Sequence, residues 1–127
     1  ANLEGSLGRD HPRVGIILKN LAILYQVQSQ HARAQPLFLQ SLAIMEQNLE
    51  PDDATLAPTL ANLGRAYHAQ SNYAEAGRMY RRALALFEPV VGAQDPIVLE
   101  IRRVLNAASG RRPLPQNIDP LLAIPLQ

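Results

Sequence analysis

Three histidines, one lysine, eleven arginines and five serines are the side chains here that could relay a proton, attack a substrate or hold an anion. His11, His31 and His68 stand in different local contexts, none with a carboxylate at metal-ligand spacing. There is no H-E-x-x-H pair, no P-loop and no G-x-G-x-x-G turn. None of the serines sits in a nucleophile-elbow context, and with no cysteine there is no thiol nucleophile, disulfide or Cys-based zinc site. These residues predict no catalytic group, no metal and no cofactor, hence a protein that is not an enzyme. Arg78, Arg81 and Arg82 form one basic cluster, and Arg102, Arg103, Arg111 and Arg112 another. The formal net charge is only +1, and a single aromatic residue, Tyr80, interleaves the arginines, which is no stacking platform for bases, so nucleic acid is not an expected partner. The simpler reading of the clusters is a solvated outer helix face.

Without catalytic residues, attention turns to the elements. At 127 residues the chain has the length of one domain, and 47% hydrophobic with 18% charged residues is an ordinary globular balance. No apolar run approaches the ~18 residues of a membrane span, so no membrane is expected. There is no tryptophan, with four Tyr and two Phe, so the core must come from Leu, Ile, Val and Ala, which favours helices. No charged segment followed by an apolar one precedes the domain, which predicts a cytoplasmic location.

A repeat organises these helices. Shifted by 42 positions, the chain aligns with itself without a gap. Leu18, Asn20, Leu21, Tyr25, Gln28, Ser29, Ala34, Leu42 and Glu46 meet Leu60, Asn62, Leu63, Tyr67, Gln70, Ser71, Ala76, Leu84 and Glu88. Upstream, Leu3, Glu4 and Leu7 align with Met45, Glu46 and Leu49, which predicts that the chain begins inside the last turns of an earlier repeat. A dedicated N-terminal cap is the other reading. Each unit reads as two helices. Val14, Ile17, Leu18, Leu21, Leu24 and Tyr25 mark one buried face, and Ala34, Leu37, Phe38, Ser41, Leu42, Met45 and Leu49 mark the next. Asp53 and Asp95 stand at N-cap positions, and Pro96 follows at the first helical one. A third unit supplies one helix, about 96–109. After Gly110 come Arg111-Arg112 and then a stretch from Pro113 to Gln127 with four prolines, which forbid regular helix.

The two units resemble tetratricopeptide repeats, in particular the 42-residue kinesin-light-chain type. Unit one supplies Leu18, Leu21-Ala22, Tyr25, Ala34 and Phe38, with Ser41 where alanine is usual. Unit two supplies Leu60, Leu63-Gly64, Tyr67, Ala76, Tyr80 and Ala83, and Gly8–Pro12 resembles that subfamily's inter-repeat loop. The resemblance implies an all-α fold, an α-α superhelix of two complete helix pairs plus one additional helix and an extended C-terminal tail. The expected division is a repeat domain over 1–109, with units about 10–50, 52–92 and a partial 95–109, followed by a proline-rich tail over 110–127.

It also implies a concave groove lined by each unit's first helix. Carried over by position, the peptide-binding residues are Ile16, Lys19, Asn20, Ile23 and Val27 in unit one, Asn62, Arg65 and His68 in unit two, and Arg103 in unit three. Gln26 falls on the same stripe without an assigned role. Asn20 and Asn62 carry amides that can pair with the backbone of an extended peptide. Lys19, Arg65 and Arg103 would select acidic neighbours, and Ile16, Ile23 and Val27 would take apolar side chains. A chaperone-type carboxylate clamp is not expected, because Ile23, Glu100 and Val104 replace its usual polar residues and Glu100 would repel a carboxylate. The expected function is a non-catalytic interaction or scaffold module for a protein or peptide partner. One such partner is its own tail, through Ile118, Leu121, Leu122 and Ile124, in cis or in trans. The alternatives are a self-assembling homo-oligomer and a regulatory segment of a larger multidomain signalling protein.

Overall fold

The computed structural model describes residues 11–115. The expectations for residues 1–10 and for Ile118, Leu121, Leu122 and Ile124 lie outside them. Five helices follow one another: α1 (Pro12–Val27), α2 (His31–Asn48), α3 (Ala57–Ala69, preceded by a 3-10 turn at Ala54–Leu56), α4 (Tyr73–Val91) and α5 (Pro96–Ser109). Each packs on its chain neighbour, α1 on α2, α2 on α3, α3 on α4 and α4 on α5. The described chain is all-helical, two complete helix hairpins and a fifth helix.

The helix starts follow the sequence signals. His11 Nδ1 accepts from Arg13 N, Asp53 Oδ1 from Thr55 N, and Asp95 Oδ1 from Ile97 N, each satisfying a backbone donor that the first turn leaves free. Pro12 and Pro96 open their helices where no N–H is needed. The helix ends share one geometry. Ser29, Ser71 and Arg111 adopt φ of 61°, 63° and 54°, each two residues past a first helix. Behind each, a backbone bond closes the turn over five residues: Gln30 N to Tyr25 O, Asn72 N to Tyr67 O, and Arg112 N to Ala107 O. In the repeat register, Ala107 replaces Ile23 and Arg65 rather than Tyr25 and Tyr67, so the third turn arrives two residues early. It then meets Pro113 instead of a second helix.

The core runs along the stack. Phe38, Leu56, Leu60, Leu63, Tyr80, Val98, Ile101 and Val104 are fully or almost fully buried. Ala22 is fully buried in the same core as Phe38, and its repeat equivalent Gly64 faces Tyr80 so closely that an added Cβ would stand 2.6 Å from the ring. Ser41, the departure from the usual alanine, is buried and donates to Gly15 O at 2.6 Å, which ties α2 to α1.

One expectation about the core needs correction. Ile17, Leu21 and Leu24 share a helical face, but they are 49%, 40% and 55% exposed. Their equivalents Thr59, Leu63 and Ala66 are all at 0%, with Thr59 Oγ1 3.7 Å from Met45 Sδ on α2. That face of a first helix is covered by the second helix of the preceding unit, and α1 has no such helix among the described residues.

Candidate functional site

Reading α1, α3 and α5 as a ladder places the expected site residues. Ile16, Pro58 and Glu100 form one rung, and Lys19, Ala61 and Arg103 the next. Asn20, Asn62 and Val104 follow, then Ile23, Arg65 and Ala107. Gln26 and His68 close the ladder. The ladder is bonded across: Gln26 Nε2 donates to Asn62 O at 2.8 Å, and Gln26 Oε1 lies 2.9 Å from His31 Nδ1. Gln26, which the sequence placed on the stripe without a role, is the side chain that joins α1 to α3. Its register position beside His68 is the only hint the sequence offers of that bond.

The structure sorts the expected residues by environment. Ile16, Asn20, Val27 and Arg103 are exposed, with Ile16 at 44% and Val27 at 66%. Lys19, Ile23, Asn62 and His68 are buried, at 4%, 6%, 0% and 1%. Asn62 Nδ2 donates to Pro58 O one turn back at 2.9 Å. The two asparagines therefore share a register but not an environment. Ile16 and Lys19 come together in a cavity of about 350 Å³ between the start of α1 and the end of α2, lined also by Pro12, Met45, Leu49 and Thr55. Burial lowers the pKa of the Lys19 ammonium. Met45, Leu49 and Thr55 were missed because they read as core or loop until the hairpin closes over them.

Arg65 is half-buried in the middle of the ladder, and its Nε and Nη1 have no hydrogen-bond partner among the described residues. Burial lowers its pKa, while the Tyr80 phenol and the Glu100 carboxylate act in the other direction. Its positive charge adds to burial in lowering the pKa of His31. Arg103, by contrast, is held on Glu100 at 2.9 Å, and that hydrogen bond raises its pKa.

His68 bonds through both of its ring nitrogens. Its Nε2 lies 2.8 Å from Arg112 O, and its Nδ1 3.0 Å from the Tyr80 hydroxyl. A carbonyl only accepts, so neutral His68 carries its proton on Nε2 and accepts at Nδ1 from the Tyr80 O–H. Burial pushes the Tyr80 phenol far up, which keeps it a donor. Burial also lowers the pKa of His68, opposed by the bond to Arg112. Through this bond the chain beyond α5 returns to the ladder, and Leu114 packs against the core.

Chemically, the arrangement offers apolar pockets, a buried and a half-buried cation, and backbone-pairing groups. Among the described residues no group of three His, Asp or Glu is placed to hold a metal, and no helix is long and apolar enough to cross a membrane. A family model described as tetratricopeptide repeat matches residues 14–89. The chain belongs to the tetratricopeptide repeat family. The match spans both complete units of this repeat protein, and the helix hairpins above are the family's structural unit. No curated protein sequence matches the chain. Tetratricopeptide repeats are non-catalytic modules that mediate protein–protein interaction and scaffolding, and that coarse role is the one the family assigns here.

Proposed function

We propose that this repeat protein binds an extended peptide segment along the ladder of α1, α3 and α5, and that its own C-terminal tail is one such segment. The observation that carries the reading is the bond from His68 Nε2 to Arg112 O, with Leu114 packed on the core. Residues entering the ladder there already use a backbone carbonyl for pairing and an aliphatic side chain for packing. Two features supply places for the rest of the segment: the unpartnered Nε and Nη1 of Arg65, and the cavity at Ile16 and Lys19. The twelve residues from 116 to 127 span up to about 37 Å at ~3.1 Å per residue of polyproline-type chain, enough to cross two first helices. Asp119 is their one charged side chain, opposite in sign to Arg65 and Lys19. Asn20 and Arg103 form the exposed polar rim of the same proposed surface, with Asn62 buried beneath it. Ile23 and Val27 are its apolar part. The kinesin-light-chain type is part of this reading, supported by the 42-residue spacing.

The test uses a chain ending at Pro115 and a synthetic peptide of residues 114–127. The peptide should bind the shortened chain, and Lys19→Ala or Arg65→Ala should weaken binding at least about fivefold while leaving helicity unchanged. No binding, together with a melting temperature equal to that of the full chain, would overturn the reading.

A second reading rests on the exposed stripe of Ile17, Leu21 and Leu24. Such a stripe favours self-association, because exposing it gains a soluble helix nothing. A monomer at all concentrations in light scattering argues against it.

A further inference from the structure

The two junctions between units differ at one point. At the first, Gln70 closes α3 and its side chain meets Gln35 on α2, Nε2 to Oε1 at 2.6 Å. At the second, the residue closing α5 is Gly110, and the residue one repeat after Gln35 is Gly77. Both side chains of the bridge are gone. In their place is a cleft of about 240 Å³ between α4 and the end of α5, lined by Tyr73, Gly77, Arg81, Ala108, Ser109 and Arg111.

Its chemistry is cationic. The Arg81 guanidinium folds back over Gly77, 3.3 Å from where a Cβ would stand. Arg111 lies 5.5 Å from the centre of the Tyr73 ring. Neither guanidinium has an acidic partner among the described residues. Arg78, Arg82, Arg102 and Arg103 are paired with Glu75, Glu46, Glu88 and Glu100, so the acids nearest these helices are already engaged. Leu39 holds the position equivalent to Arg81 in unit one, so the charge belongs to this junction alone. The early turn at Arg111 is what brings the second arginine to the cleft.

The geometry points to an anion-binding site in this cleft, and we propose that its ligand is a phosphate monoester on a side chain of a protein partner. Two guanidinium groups and the Ser109 hydroxyl provide more donors than one carboxylate accepts, and they match the three oxygens and near-double charge of a phosphate monoester. The volume is below that of a typical small-molecule pocket and suits a single modified side chain. The cleft borders the ladder at the end of α5, but none of its lining residues is one of the proposed groove residues, so the two are tested separately.

The experiment is titration of the full chain with N-acetyl-phosphoserine amide, inorganic phosphate and glutarate, followed through the NMR signals of the arginine Nε–H groups and the Ser109 amide. Saturable shifts with the phosphoamino acid in the millimolar range are expected. Arg81→Gln and Arg111→Gln, both exposed positions, should each raise the dissociation constant at least about tenfold with the circular dichroism unchanged. Shifts that persist in both variants, or no shifts at all, overturn the site. Equal affinity for glutarate overturns the phosphate assignment. Equal affinity for inorganic phosphate overturns the partner-borne ester and leaves a site for the free ion. Binding of the peptide 114–127 should be the same in both variants, which separates this outcome from that of the groove.

Discussion

His68 joins three parts of the chain through two ring nitrogens, and its protonation tests that arrangement. The neutral ring accepts from Tyr80 and donates to Arg112 O. Protonation replaces the acceptor at Nδ1 with a second donor and places a charge in a buried position. The folded-state pKa lies below the ordinary 6.5, so the unfolded chain binds the proton more readily. Stability is therefore full above pH 6.5 and falls as the pH drops from there toward the folded-state value. His31, also lowered by burial, contributes with the same sign. The melting temperature should fall as the pH drops below about 6.5, and His68→Gln should flatten most of that slope. An unchanged slope in the variant would assign the effect elsewhere. Gly64 is the other single residue on which packing turns. A methyl there meets the Tyr80 ring at 2.6 Å, so Gly64→Ala should cost about 1–3 kcal/mol in urea unfolding despite its better helix propensity. Gly64 and Tyr80 were legible in sequence as a small residue and an aromatic at repeat positions. That Tyr80 is held by His68 was not, because the bond joins two rings from different helices; the bond from His68 to Arg112 depends further on a turn that comes two residues early.

At the scale of elements, the helices and their joins were legible because local chemistry writes them. The caps at Asp53 and Asp95, the prolines at first-turn positions and the polar turns after Val27 and Ala69 each act within a few residues. Which apolar face is buried is not local. Ile17, Leu21 and Leu24 stand in register with Thr59, Leu63 and Ala66, and only the neighbouring second helix decides between core and surface. The contrast can be measured with one type of substitution. Leu63→Asp places an unpaired charge at a fully buried position and should destabilise by more than about 3 kcal/mol or prevent folding. Leu21→Asp, its repeat equivalent, should stay within about 1 kcal/mol of the parent. Similar losses at both positions would mean that the α1 face is covered in solution. The candidate site divides in the same way. Lys19, Arg65 and His68 are proposed from positions that the family resemblance carries over, whereas the bond made by Gln26 and the Met45–Leu49 wall of the cavity become visible only when the helices are laid against one another.

At the scale of the molecule, the two ends of the stack differ in kind. The face of α5 corresponding to Gly15, Leu18 and Ala22 carries Leu99, Arg102 and Asn106, and Arg102 is paired with Glu88 on α4. Where unit one packs its second helix, unit three presents a largely solvated surface. The α1 end instead exposes an apolar stripe. Head-to-tail stacking of copies would lay a charged face on an apolar one, so any self-association through α1 is expected to be a closed pair rather than a filament. The stripe also makes a quantitative prediction about repeat energetics. Stability in such stacks is approximately a sum of unit terms and nearest-neighbour interfaces, so covering α1 should add one interface term. Residues 1–10 align with 43–52, and placing a copy of residues 31–42 directly before Ala1 supplies a complete second helix in register. Burying roughly half of Ile17, Leu21 and Leu24 corresponds to about 2–4 kcal/mol at ~25 cal/mol per Å² before the ordering of the added helix is subtracted, and a net gain of about 1 kcal/mol or more is expected. Denaturant unfolding measures it, with Leu21→Asp as the control. The added helix should stabilise the parent and fail to stabilise the variant, and any concentration-dependent association of the parent should disappear with it. Equal stabilisation of both would show that the helix docks somewhere other than this face.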